Sequence, residues 1–275
     1  MLANWAQMSQ AERDAAYNNN GAVPNSPALI EARNAASKAY RAAHATALDI
    51  PYGPAPRQRW DLYPAQDAKA PCLVFIHGGY WQRNSREDFA CYAEGMLAHG
   101  WSVAMPSHTL GPDATLTAIV VEIARALDTL AEKGSQHGIA ANKIVLSGWS
   151  AGGHLTAMAL SHRAVAAGLA ISGVYELAPI KQTGLDEKLA LSEVEVASLS
   201  PLRLPVVHKP LAIAYGSREL PALVADSRDL HARRAAAHAP GSLIPIAGAD
   251  HFTILEELRR PDGQLVQAAR GLLGV

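Results

Sequence analysis

From about residue 72 the chain alternates between short, continuously apolar runs and longer stretches with helical spacing. Leu73-Val74-Phe75-Ile76 and Ile144-Val145-Leu146 contain no polar position. Such runs suit strands covered on both faces rather than strands with one wet side. The pattern predicts strands at 72–77, 102–106, 143–148, 168–172, 210–215 and 242–246. Helices are expected at 87–98, 116–133, 151–163 and 222–238, with a helical tail after Phe252. Alternation of this kind implies an α/β fold, a mostly parallel sheet with helices on both faces. Ahead of it, 47–52 and 57–63 read as an antiparallel hairpin around the turn material Gly53-Pro54-Ala55-Pro56. Between Gly173 and Pro210 the rhythm lapses. Residues 174–209 are expected to form an irregular, polar insertion, longer than ordinary connections and therefore functional.

The start of the chain differs. Ser9-Gln10-Ala11-Glu12 reads as a capping box, Ser26-Pro27 as a second helix start, and Asn18-Asn19-Asn20-Gly21 as the break between them. Alanines dominate the periodic positions from Leu29 to Ala43 and favour close packing on another surface. The expected organisation is a helical N-terminal arm, 1–46, lying on a single α/β domain, 47–275, with no internal repeat.

Composition narrows the function classes. With 24 Lys+Arg against 25 Asp+Glu in 275 residues, the chain has no electrostatic footprint for nucleic acid or an acidic membrane face. Cys72, in an apolar run, and Cys91, on an expected helix, are too few for a disulfide framework or metal cluster; both read as reduced and buried. The first residues lack a basic, continuously apolar leader, and no run approaches the ~20 apolar residues of a membrane span, so the expected location is the cytoplasm. No P-loop, dinucleotide fingerprint or zinc spacing occurs, and no cofactor or metal is expected. The expected partner is a small-molecule substrate. The arm either covers the site or meets the same arm of a second chain in a homodimer, and the sequence fits both arrangements.

The chemistry is carried by four places. Gly148-Trp149-Ser150-Ala151-Gly152-Gly153 falls where a strand ends and a helix begins and matches the G-x-S-x-G nucleophile elbow. Gly148 and Gly152 supply the lack of bulk that so tight a turn needs, and the helix N-terminus favours developing negative charge at Ser150. His77-Gly78-Gly79-Tyr80-Trp81 ends another strand, where the glycines let the backbone offer N–H groups to an oxyanion. Gly78, Gly79, Tyr80 and Ala151 are the oxyanion-hole candidates, and His77 is expected to brace the turn. His251, just past the last strand, has the position of the base. His108, His154, His162 and His208 lack the required place in the order. The acid should follow the strand 210–215: Glu219 is the first candidate, Asp226 the second, and Asp250, a chain neighbour of His251, the least suited. Trp81 and Trp149 flank the turns and are candidates for the pocket wall. An imidazole base implies loss of activity on acidification.

Taken together, His77-Gly78-Gly79-Tyr80-Trp81, Gly148-Trp149-Ser150-Ala151-Gly152-Gly153-His154-Leu155 and Asp250-His251-Phe252 resemble the α/β-hydrolases of the kynurenine formamidase (arylformamidase) group and their bacterial esterase-like relatives. Tyr17-Asn18-Asn19, Thr109-Leu110 and Ile171-Ser172-Gly173-Val174-Tyr175-Glu176-Leu177 extend the similarity. The resemblance implies an α/β-hydrolase fold with Ser150 as nucleophile, Glu219 as acid and His251 as base, and an aromatic formamide, amide or ester as substrate. Trp149 stands where these enzymes usually carry histidine, Glu219 where aspartate is common, His108 where tyrosine is expected and Asp186 where asparagine is expected. Trp149 and His108, with Tyr175, are therefore candidates for reshaping the pocket. Two further possibilities are a carboxylesterase or carbamate hydrolase using the same residues, and a catalytically silent scaffold that binds a ligand.

Overall fold

The computed structural model describes residues 5–44, 47–140 and 143–274; residues 1–4, 45 and 46 of the expected arm lie outside them. Eight strands form one sheet: β1 (Ile50–Pro51), β2 (Arg59–Tyr63), β3 (Cys72–Ile76), β4 (Ser102–Pro106), β5 (Ile144–Trp149), β6 (Val165–Ile171), β7 (Leu211–Gly216) and β8 (Leu243–Ile246). Their order is β1-β2-β4-β3-β5-β6-β7-β8. The β1–β2 hairpin is antiparallel and β2 runs antiparallel to β4, while β3 to β8 are parallel to one another. β1 is only two residues long because Pro51 offers no N–H to a ladder.

The helices are α1 (Gln10–Ala15), α2 (Asn19–Ala22), α3 (Ser26–Ala43), α4 (Glu94–Leu97), α5 (Leu116–Lys133), α6 (Ala151–Ala159), α7 (Asp186–Leu189), α8 (Glu193–Leu199), α9 (Pro221–Ala236), α10 (Glu256–Arg259) and α11 (Gln264–Gly271). Period-two alternation sends successive strand residues to opposite faces of the sheet. Cys72, Val74 and Ile76 join a core with Ile119, Ile123 and Leu127 of α5, Leu155 of α6 and Leu223 of α9. Leu73 and Phe75 join a second core with Phe89, Tyr92, Met96, Leu258 of α10 and Val266 of α11. Two cores on two faces explain why β3 has no polar position.

Several elements depart from the sequence pattern. The asparagine run forms a helical turn of its own, α2, because the Asn18 side chain accepts the Gly21 N–H at 3.0 Å. The expected helix 87–98 is a 3-10 stretch over Arg86–Ala93 that becomes α-helical only at Glu94. Phe89, Ala90, Tyr92 and Ala93 of this stretch are all buried, so packing on both sides outweighs regular helical spacing. The insertion is not a polar loop: Val174, Leu177, Ile180, Leu189, Leu191 and Val196 are buried in the first core beneath the short helices α7 and α8.

The capping box at Ser9 forms, with Ser9 and Glu12 exchanging hydrogen bonds. Further along, α3 lies against the Arg86–Ala93 segment, where Ser37 Oγ donates to Asp88 O at 2.9 Å. Arg41 donates to the buried Asp61 carboxylate at 2.6 Å, and Arg86 shares that carboxylate at 2.9 Å. A buried carboxylate needs such partners to offset its desolvation. Cys72 and Cys91 are free and buried. No helix among the described residues is long and apolar enough to cross a membrane.

Candidate active site

Ser150 sits between β5 and α6 with φ 58° and ψ −119°. This backbone is one that L-residues rarely adopt, so the surroundings must enforce it. They do so by close approach: a Cβ on Gly148 would lie 2.3 Å from Gly152 O, and one on Gly152 would lie 2.0 Å from Ile76 O. The Ser150 N–H is anchored on Ile171 O of β6 at 2.8 Å. The turn therefore holds the serine side chain above the carboxyl ends of the central strands, where open α/β sheets place their ligands.

The structure brings Ser150, His251 and Glu219 into one hydrogen-bonded chain. His251 Nε2 lies 3.1 Å from Ser150 Oγ, and His251 Nδ1 lies 2.8 Å from Glu219 Oε2. The other carboxylate oxygen, Oε1, accepts from Ser172 Oγ at 2.5 Å and from Gly216 N–H at 2.7 Å. Three donors fix the carboxylate, which fixes the Nδ1–H tautomer of the imidazole and leaves Nε2 as the acceptor facing the serine. All three residues are buried. Asp226 is elsewhere: its Oδ2 accepts the N–H groups of Tyr175 and Glu176 at 2.6 and 3.2 Å. Asp250 accepts the N–H groups of Phe252 and Thr253, both at 2.9 Å, capping the turn that follows His251.

Trp149 shapes the base as well as the wall. Its Nε1–H donates to His251 O at 2.8 Å, and its ring lies 4.6 Å from the imidazole between centroids. The turn at 77–81 is held from behind: Gly78 O accepts from His77 Nδ1 at 2.9 Å and from Asn84 Nδ2 at 3.1 Å. In a trans peptide the C=O and the next N–H point opposite ways, so the Gly79 N–H is directed away from His77 and Asn84. Gly79, Tyr80 and Trp81 all have positive φ. Ala151, the first residue of α6, has an N–H with no intrahelical acceptor. Gly78 packs behind Trp149 and Ser150, where a Cβ would meet the Trp149 ring at 2.6 Å.

A pocket of about 120 Å³ opens over Ser150 and His251. Gly79, Tyr80, Trp149 and Phe252 line one side, and the arm supplies the other through residues 17–20, Ile30 and Arg33. The arm is tied to the glycine turn: Tyr80 Oη donates to Tyr17 O at 2.7 Å and accepts from Asn19 Nδ2 at 3.1 Å. Three expected wall residues stand behind the pocket instead. Trp81 is buried with its ring edge-on to His154, Tyr175 packs over Gly173, and His108 stacks on His77 at 4.7 Å. Their apolar surface is consumed by packing, and burial pushes the His108 pKa down to about 4, leaving a neutral ring.

Asn20, Ile30, Arg33 and Asn84 have no local signature as site residues, and Tyr17-Asn18-Asn19 is marked only by its similarity to the formamidase group. The role of the arm residues among them depends on α1 to α3 folding back over the sheet, a relation between segments that no short motif records. Ser172 had a signal of sorts, since it falls at the end of β6 beside the elbow.

Comparison with known proteins places the chain among hydrolases in sequence and fold. A family model described as BD-FAE matches residues 60–172. Kynurenine formamidase of Danio rerio is 26% identical over 280 residues, covering 94% of this chain and 94% of that protein. Esterase LipQ of Mycobacterium tuberculosis is 33% identical over a shorter stretch, 40% of this chain and 28% of that protein. Among solved structures, a putative thioesterase from Silicibacter sp. superposes with TM-score 0.84 at 27% identity, covering 94% of this chain and 98% of that one. Esterase B of Lactobacillus rhamnosis superposes with TM-score 0.73 at 18% identity, covering 95% and 96%. The fold is that of an α/β-hydrolase. The formamidase and esterase relatives support a hydrolase of this type.

Proposed function

We propose that this protein is a serine hydrolase that cleaves a small aromatic formamide or amide through an acyl-enzyme on Ser150. The observation that carries the reading is the chain Ser150 Oγ, His251, Glu219 on a strained strand-to-helix turn. Ser150 Oγ attacks the carbonyl carbon while His251 Nε2 takes its proton. The Glu219 carboxylate orients the ring and stabilises the imidazolium. The N–H groups of Ala151, Gly79 and Tyr80 hold the oxyanion, with Gly78 O kept out of the way by Asn84. His251 then returns the proton to the departing nitrogen as the C–N bond breaks, and water repeats the attack on the acyl-serine to release the acid. Similarity to kynurenine formamidases along nearly the whole chain favours a formamide.

The test is a panel of aryl formamides, N-formylkynurenine included, beside matched aryl esters and carbamates, with Ser150→Ala as blank. Hydrolysis led by formamides and abolished in Ser150→Ala is the expected result. A lead of orders of magnitude for esters would make the protein a carboxylesterase with the same machinery. Failure of a fluorophosphonate to label folded protein at Ser150 would leave a ligand-binding scaffold.

A further inference from the structure

The pocket over Ser150 has an unbalanced charge. Arg33, on α3, lines it and is only 8% exposed. Its guanidinium lies 4.2 Å over the Phe89 ring, and its Nε and Nη2 both donate to one neutral acceptor, Asn34 Oδ1, at 3.1 and 2.8 Å. It forms no ion pair with a carboxylate of the described residues. The other buried arginines are differently served. Arg86 pairs with Asp61, Asp49 and Glu87. Arg234 donates to three backbone carbonyls, of Val207, Lys209 and Pro240. A second guanidinium, Arg83, lines the rim, and no Asp or Glu lines the pocket. The carboxylate that touches the reacting groups, Glu219, is committed to His251, Ser172 and Gly216.

We propose that Arg33 binds a carboxylate of the substrate, and that the substrate is a compact aryl-acyl anion rather than a neutral or zwitterionic molecule. The inference rests on the proposed function in taking this pocket as the substrate site. Asp88 acts on Arg33 only at longer range, and Glu256 lines the neighbouring cavity that Arg33 shares. A buried cation without a direct ion-pair partner is costly, and a ligand carboxylate supplies that partner in a geometry the planar guanidinium suits. Stacking on Phe89 holds the guanidinium plane before the ligand arrives, which reduces the ordering cost of binding. An α-ammonium would enter beside two cations with no acid to receive it. The site therefore discriminates against a free amino acid side chain on the same aryl core.

Binding and turnover separate this inference from the reading it rests on. Folded Ser150→Ala protein is titrated calorimetrically with 2- and 4-formamidobenzoate, with the methyl ester of each, and with zwitterionic N-formylkynurenine. The expected result is at least one free acid binding about tenfold or more tighter than its methyl ester, and tighter than N-formylkynurenine. Adding Arg33→Gln should erase the ratio between acid and ester, and Arg33→Lys should restore part of it. Should the arginine variants not fold, the corresponding neutral benzamides titrated on the Ser150→Ala protein read the same point: they should bind as weakly as the esters. Acid and ester binding alike, neither binding, a preference that survives Arg33→Gln, or a benzamide binding as tightly as the acid overturns the proposal. Turnover of the same compounds and of matched aryl esters by the unaltered chain tests the formamide reading separately. A failure there leaves the charge comparison standing on binding alone.

Discussion

The two walls of the pocket differ in how completely their polar groups are satisfied. On the sheet side every reacting group is over-determined: Glu219 holds three donors, His251 is gripped at both ring nitrogens and at its carbonyl, and Gly78 O has two donors. On the arm side Asn19 Oδ1 is buried without a partner, and Arg33 has only an amide oxygen. Groups that must be preorganised for chemistry are saturated by the protein itself. On the arm side, the two groups left short line or adjoin the pocket, where a ligand can complete them. The sheet thus sets the reaction, and the arm sets which molecules undergo it.

The strongest way to break this division is at the sheet wall. Ser150→Ala should lower kcat by about 10⁶, and His251→Ala by a similar factor, because these residues act as a unit. Glu219→Gln keeps the shape but loses the charge that orients and stabilises the imidazolium, with an expected loss of about 10⁴. Single-turnover kinetics with folding checked by circular dichroism measures all three. If an arm substitution matched these losses, the division would fail.

Trp149→Phe probes the same wall more gently. It keeps an aromatic ring beside His251 but removes the Nε1–H donor to the His251 carbonyl. Loss of one buried hydrogen bond costs about 1 kcal/mol. Expressed in positioning of the base, that is about a fivefold drop in kcat with little change in KM. A change in KM alone would instead mark Trp149 as a wall of the substrate pocket and nothing more.

Tyr80→Phe tests the seam. It leaves the backbone N–H in place and removes the hydroxyl that joins Tyr17 O to Asn19 Nδ2. The arm should sit more loosely, raising KM about fivefold while kcat moves less, since the cost of one such link is about 1 kcal/mol. A collapse of kcat equal to that of Glu219→Gln would show that the arm holds the oxyanion turn in its working shape.

How much of this could be read from the chain follows the same line. The sheet was legible because β3 and β5 are apolar on both faces, and the elbow because its geometry tolerates only glycine at Gly148 and Gly152. Chain order selected Glu219 and His251 for the same reason, since strand ends are fixed by topology. The arm was visible as helices, with covering the site as one of two arrangements: nothing in Asn18-Asn19-Asn20 or in Arg33 chooses between them. Large aromatic residues misled in the opposite way. Trp81 stands in the glycine turn and Tyr175 in the segment 171–177 that extends the family similarity, yet both are fully buried and turned from the pocket. Proximity along the chain does not fix the direction of a side chain.

The smallest expected effect separates the two buried acids that compete in the sequence for one role. Burial pushes the Asp226 pKa up to about 7, while the N–H groups of Tyr175 and Glu176 act against that rise. In the unfolded chain an aspartate titrates near about 3.9. Between these values the folded state binds more protons than the unfolded state, so this group makes stability fall as pH rises from about 4 to about 7. Asp226→Asn keeps an acceptor for both N–H groups and cannot ionise. Its melting temperature should match that of the unaltered chain near pH 4 and exceed it by a few degrees, roughly, at pH 8. Its kcat/KM should stay within about twofold, because the Asp226 carboxylate bonds the N–H groups of Tyr175 and Glu176 rather than Ser150, His251 or Glu219. An equal melting difference at both pH values would mean that Asp226 is ionised throughout. The two N–H donors would then outweigh burial.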